Sequence, residues 1–289
     1  MSPNMVGASL MMASMAAFTI NDALLKMTDG ALPLFQLLFL RGAITSLLII
    51  GFGRHMGRIS FDISRRDWGV IAVRSFAEVA AAYFFLSALF HMPLANVTAI
   101  LQVLPLALTL VSAVILREAV GWRRMSAIVV GFVGVMLIVK PGADGFNIWS
   151  VYALIAVACV TLRDLSTRFL SPAAPSMTVT LVTALSVMSA AGLASLSAPW
   201  APVTPQLGVL IAGSGVFVLG GYFFSIQVMR TGDVSFVAPF RYTSLIWALL
   251  LGWFIFGDWP GVLTMIGAAI VVGTGIFTLY RERKVKLSG

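Results

Sequence analysis

Long apolar stretches alternate with short polar breaks along this chain. A helix needs roughly 20 apolar residues to cross the hydrocarbon core of a bilayer. Reading for runs of that length predicts ten spans, at 5–27, 33–52, 68–90, 95–116, 122–139, 148–170, 177–196, 207–228, 234–256 and 260–280. The longest break, from Arg54 to Asp67, has 14 residues, too few for a soluble domain. Continuous runs, rather than period-two alternation, disfavour a β-barrel. The pattern predicts an all-α polytopic membrane protein with ten transmembrane helices.

The opening run contains "TINDALLK", which puts Asp22 and Lys26 one helical turn apart at bilayer depth. That stretch recurs: Thr19–Lys26 aligns with "TLRDLSTR" at Thr161–Arg168, sharing Thr-x-x-Asp-x-x-x-base. Tyr83–Phe85 recurs at Tyr222–Phe224, and Glu118 after span four has a counterpart in Asp258 after span nine. The offsets, 142, 139 and 140 residues, are nearly constant, as a sequence repeat requires. Two five-span units at 1–141 and 142–289 follow. An odd number of spans makes the second unit enter the membrane from the opposite side, giving a 5+5 inverted repeat. Secondary transporters of this build hold their substrate near the midplane between the halves.

Composition agrees: 60% of the 289 residues are hydrophobic, only 10% are charged, and the mean hydropathy is +0.99. A soluble domain carries about 25% charged residues. The net charge of +8 is not a nucleic-acid footprint, because the basic residues are scattered between apolar runs. Thirteen Lys and Arg lie in the even-to-odd loops and the C-terminal tail, against Lys140 alone on the other side. The positive-inside rule then puts both termini in the cytoplasm. "MSPN" lacks the basic residues of a signal peptide, so the first span is expected to stay in the mature protein. A single cysteine, Cys159, excludes an intrachain disulfide and a Cys-based metal site.

"ALFHMPLANVTAILQVLPLALTLVSAVILREAVGWRRMSAIVVGFVGVMLIVKP", Ala88 to Pro141, joins a small-residue turn, a Pro-Leu in span four, a terminal acid and a Gly-Val ending. In the second half, "VSFVAPFRYTSLIWALLLGWFIFGDWPGVLTMIGAAIVVGTGIF" plays the same part, with Asp258 for the usual Glu and no proline aligned to Pro105. These motifs resemble the drug/metabolite transporter superfamily, in its branch of ten-helix carriers with two EamA domains. Within it the chain looks most like the YddG-type exporters of aromatic and broad-range amino acids. The resemblance implies a multi-pass protein of the inner cell membrane. It also implies a basket in which spans one, three, four, six, eight and nine surround a cavity while five and ten pack behind. Ala127, Gly131 and Gly134 of span five and Gly267, Ala268, Gly273 and Gly275 of span ten fit that packing, since small residues let helices approach closely in lipid. The family's span-two arginine matches Arg41, with Thr183 at the equivalent place in span seven.

Span four carries a polar face of Thr98, Gln102, Pro105, Thr109 and Ser112 at helical spacing. Thr98 and Gln102 are expected to line the cavity. By repeat position Gln102 corresponds to Arg241 or Tyr242 of span nine, so these are expected to face one substrate. Tyr83 and Tyr222, at equivalent repeat positions, are candidates for aromatic walls. An intramembrane charge costs several kcal/mol, so such residues face the interior or pair. Lys26 is expected to snorkel at the outer edge. Asp22 is either its structural partner or a site residue. Arg74 and Glu78 are an i, i+4 pair in which Glu78 is near the middle and able to exchange a proton. Arg41 either pairs across helices with Asp22 or Glu78 or binds a substrate carboxylate. Asp164 beside Arg163 reads as structural.

No phosphate-binding loop for ATP is visible, and both histidines, His55 and His91, fall in predicted loops, which argues against an intramembrane serine protease at "GSG" 213–215. The sequence thus predicts a secondary exporter of small organic solutes, amino acids foremost, with no enzyme activity, no cofactor and no metal. A multidrug or other-metabolite exporter is the alternative. The expected partners are the lipid bilayer and a small molecule, without nucleic acid, and a monomer is compatible with this.

Overall fold

The computed structural model describes residues 3–56, 59–115, 122–139, 147–231 and 237–288. Among these no strand occurs, and eight helical segments are long and apolar enough to cross a membrane. Two shorter apolar helices, Met125–Val139 and Val262–Thr278, stand at the places of spans five and ten. The helices are span one (Pro3–Lys26), two (Leu34–Met56), three (Arg65–His91), five (Trp122–Val139), six (Ile148–Arg168), seven (Ser176–Ser195), eight (Pro205–Thr231) and ten (Val262–Ser288). Spans four and nine are interrupted. Four is built from Leu94–Leu101 and Leu104–Ile115, and nine from a 3-10 turn, Ala238–Tyr242, continuing into Thr243–Phe256.

The interruptions have local causes. Pro105 has no N–H to donate into a continuous helix but is well placed in the first turn of a new one. The chain therefore turns at Gln102 and Val103, whose N–H groups bond Thr98, Ala99 and Ile100 carbonyls, and restarts at Leu104. Span nine enters as a tighter turn, with a proline, Pro239, at its start. The breaks fall at matching repeat positions.

The helix contacts obey the repeat. Span one packs chiefly on eight, as six does on three. Two touches eight as seven touches three, and one touches nine as six touches four. Two meets seven, four meets nine and five meets ten. Exchanging spans one to five with six to ten leaves this pattern unchanged, which is the signature of an inverted repeat. Glu118 and Lys140, used in the sequence argument, lie outside the described residues.

Spans five and ten pack as expected: a Cβ on Gly134 would stand 2.9 Å from the Gly267 carbonyl oxygen, so only glycine allows this backbone approach. Between spans one and eight, the Ser14 hydroxyl donates to the Gly221 carbonyl at 2.8 Å, and Phe18 meets Tyr222 edge-on at 5.4 Å. Leu25, Leu37, Leu86, Leu89, Leu94 and Val97 form one buried apolar cluster at the ends away from the basic loops. That cluster closes one end of the basket.

Candidate functional site

Beneath this seal lies a cavity of about 330 Å³, within the size range of small-molecule sites. It is walled by spans one, two, three, four, six, eight and nine and runs toward the ends that carry the basic loops. Met15, Phe18, Phe85, Leu86, Leu101 and Val160 give it an apolar side. Its charged residues are Asp22, Arg41, Arg74, Glu78, Arg163 and Arg241, four bases against two acids.

Each charge has a distinct situation. Glu78 Oε2 accepts from Arg163 Nη1 at 2.9 Å, and Arg163 Nε and Nη2 donate to Asp164 Oδ1 at 2.8 Å. Span three is thereby clamped to span six. Arg74 Nε donates to Thr167 Oγ1 at 2.9 Å and Arg74 Nη1 to Thr183 Oγ1 at 2.6 Å. The expected Arg74–Glu78 pair is therefore replaced by longer reaches to neighbouring helices: each side chain finds a better-placed partner across the interface than along its own helix. Asp22 Oδ1 accepts from Asn21 Nδ2 at 2.8 Å, and the field of Arg41 acts on it. No hydrogen bond or ion pair to the Arg41 or Arg241 guanidinium occurs among the described residues.

The Asp22–Lys26 pair is not formed. Lys26 Nζ instead donates to the Leu89 and Met92 carbonyls at 2.8 and 2.7 Å and stands 5.5 Å from the Phe256 ring centre. It does not snorkel, because the unsatisfied carbonyls ending span three are nearer partners than lipid headgroups, and a cation there complements the helix dipole.

Thr98, Gln102, Tyr222, Arg241, Asp22, Glu78 and Arg41 all line the cavity. Tyr83 and Tyr242 do not. Tyr83 stacks on Phe35 at 5.8 Å and contacts Phe84 and Tyr152, filling an aromatic cluster beside Trp149. Tyr242 is buried against span ten, where a Cβ on Gly275 would collide with its hydroxyl. Gln102 and Arg241 thus share the cavity wall, and Gln102 Nε2 donates to Ser244 Oγ at 2.6 Å, which in turn donates to the Arg241 carbonyl at 3.0 Å. Thr109 turns away from a ligand role and bonds the Pro105 carbonyl at 2.8 Å. His91 belongs to the last turn of span three, not to a loop, and stacks on Trp149 at 3.7 Å.

Sequence reasoning missed Asn21, a residue of the cavity wall that is 3% exposed and has a buried side-chain oxygen without a hydrogen-bond partner. Its signal was its place beside Asp22 and 142 residues before Arg163, which lies beside Asp164. Spans two and seven also approach the site. A branch of about 70 Å³ adjoins the cavity between spans two, three, seven and eight, sharing Arg41, Arg74, Glu78 and Tyr222 with it.

A bundle of apolar, membrane-length helices around a polar pocket is an arrangement that suits a membrane transporter. Residues 5–140 match the EamA-like transporter family. The chain thus resembles that family of transporters over its first five spans. It is 25% identical to an S-adenosylmethionine uptake transporter of Rickettsia prowazekii, over 96% of this chain and 94% of that one. It is 28% identical to a riboflavin transporter of Vibrio cholerae, covering 96% and 94%. A pseudopaline exporter of Pseudomonas aeruginosa is 25% identical, covering 97% and 99%. A solved crystal structure with 22% identity superposes with a TM-score of 0.64 over 95% of this chain and 98% of that one, and shares the fold. The cargoes of these relatives differ from the amino acids that the sequence resemblance suggested.

Proposed function

We propose that the protein exports small zwitterionic metabolites, neutral and aromatic amino acids first among them, across the inner cell membrane by alternating access. One observation carries the reading: residues of opposite charge line the cavity, Asp22 bonded through one carboxylate oxygen to Asn21, and Arg41 without a hydrogen bond among the described residues. Asp22 and the orphaned Asn21 oxygen suit an ammonium group, and Arg41 suits a carboxylate. Buried polar groups are normally satisfied, so such vacancies at a cavity wall are ligand-shaped. The apolar side formed by Phe18, Phe85 and Leu101 would receive a hydrophobic side chain. Outward transport is the direction that the sequence resemblance implies, and the pseudopaline exporter among the relatives shares it.

The test is flux from proteoliposomes containing labelled phenylalanine, methionine or threonine. Protein-dependent efflux that Asp22→Asn and Arg41→Gln each reduce is the expected result, and no flux of any of the three overturns it. The named cargoes of the relatives favour a second reading, a carrier of larger metabolites. S-adenosylmethionine carries the same amino-acid end, so it and riboflavin belong in the same assay. Flux of riboflavin alone would favour the second reading.

A further inference from the structure

We propose that the branch beside the main cavity is a subsite for one carboxylate-sized anion, and that the carboxylate of the transported solute enters it. The proposal rests on the zwitterion reading and adds where its negative end goes. At about 70 Å³ the branch holds a few waters or one carboxylate, on the scale of about 15 Å³ for a single water.

Its walls select charge as well as size. Two guanidiniums, Arg41 and Arg74, face it without touching any carboxylate. The acid in its wall, Glu78, is already bonded to Arg163. Arg74 is held by the Thr167 and Thr183 hydroxyls, so its charge is positioned but not neutralised. Arg41 stands at the junction of branch and main cavity. Asp22 and Glu78 act on these arginines only through space, without a direct ion pair among the described residues, so an anion seated there would add the charge-assisted hydrogen bonds they lack. Thr45, one turn after Arg41 on span two, is 7% exposed and lines the branch, and its hydroxyl has no hydrogen-bond partner. A buried hydroxyl without a partner is uncommon, and an anion in the branch would give this one an acceptor. Thr180 adds a hydroxyl-bearing side chain from span seven. With the carboxylate in the branch, Asn21 and Asp22 remain free for the ammonium, and the rest of the solute lies along the apolar wall.

Sodium acetate is the probe, because it tests the branch without being a predicted cargo. The purified protein in lipid nanodiscs is melted against increasing acetate, with sodium chloride of equal ionic strength as reference. A ligand that binds the folded state raises Tm in a saturable way. Acetate is expected to do so, and neutral acetamide, of the same size, to do so far less. Ala184→Leu fills the branch from span seven at a residue outside the main cavity lining and should abolish the acetate response. Thr45→Val removes the hydroxyl at nearly constant volume and should weaken apparent acetate affinity about tenfold, the ratio for one strong hydrogen bond. Absence of an acetate-specific rise in the unaltered protein overturns the proposal. So does an unchanged response in Thr45→Val, or in folded Ala184→Leu. Either failure leaves the amino-acid reading to be judged by vesicle flux alone.

Discussion

Gln102 of span four donates its side-chain N–H to the hydroxyl of Ser244 in span nine, 2.6 Å away, across the contact between two repeat-equivalent helices. Both residues sit where their helices are interrupted, so this bond joins the two points at which the backbone bends most easily. Gln102→Leu and Ser244→Ala are expected to leave the protein folded and to slow transport by about two- to tenfold, the range for one neutral hydrogen bond. Initial flux rates with thermal melting as a folding control check this, and equal flux in both variants and the parent would contradict it.

Arg163 satisfies two carboxylates, Glu78 and Asp164. Removing one partner of a buried pair leaves uncompensated charge, typically at a cost of about 3–5 kcal/mol. Arg163→Leu should lower the yield of folded protein sharply and reduce Tm. Adding Glu78→Leu to it should recover part of the loss, because the stranded acid goes with its partner.

Lys26→Met should cost about 1–3 kcal/mol, since the ammonium bonds two carbonyls at the end of span three. Thermal melting reads this directly. Were Lys26 only a headgroup anchor, the substitution would leave Tm nearly unchanged.

Gly267→Leu and Gly134→Leu should prevent close packing of spans five and ten, because any Cβ there meets the opposite backbone. Overpacking typically costs about 1–3 kcal/mol, and more where backbone is the obstacle. Size-exclusion profiles should show aggregated protein. Gly208→Ala, with open space at its Cβ position, is the neutral control.

Tyr222→Phe is expected to alter transport, and Tyr83→Phe to leave it near the parent rate. The first hydroxyl belongs to a cavity residue and the second to an aromatic cluster outside the lining. Comparing the two flux rates separates residues that the repeat makes equivalent.

The ten spans were legible because burial in lipid imposes one simple demand, length of apolar sequence, and Gly134 and Gly267 marked their packing face for a similar reason. Pairings were less legible. Spacing places Lys26 on the face of Asp22 and Glu78 on that of Arg74, but tertiary neighbours offered both bases better partners: span-three carbonyls for Lys26, threonine hydroxyls for Arg74. Seven of the nine predicted site residues line the cavity, and the two that do not are tyrosines, Tyr83 and Tyr242. An aromatic ring fills a helix interface as readily as a pocket, so its position in sequence carries little information about which it does. Asn21 escaped notice because a neutral amide in an apolar run bears no charge to explain.

The Asn21–Asp22 contact and the Arg163–Asp164 contact occupy matching places, yet one donor is neutral and the other cationic. Arg41 likewise faces Thr183 across the repeat. A pair of identical half-length chains would have to carry the same residue at both places, and its pocket would be a palindrome. Joining the halves in one polypeptide lets each position diverge alone. A solute with unlike ends, one positive and one negative, can then be held in a single orientation, and a molecular palindrome could never tell head from tail.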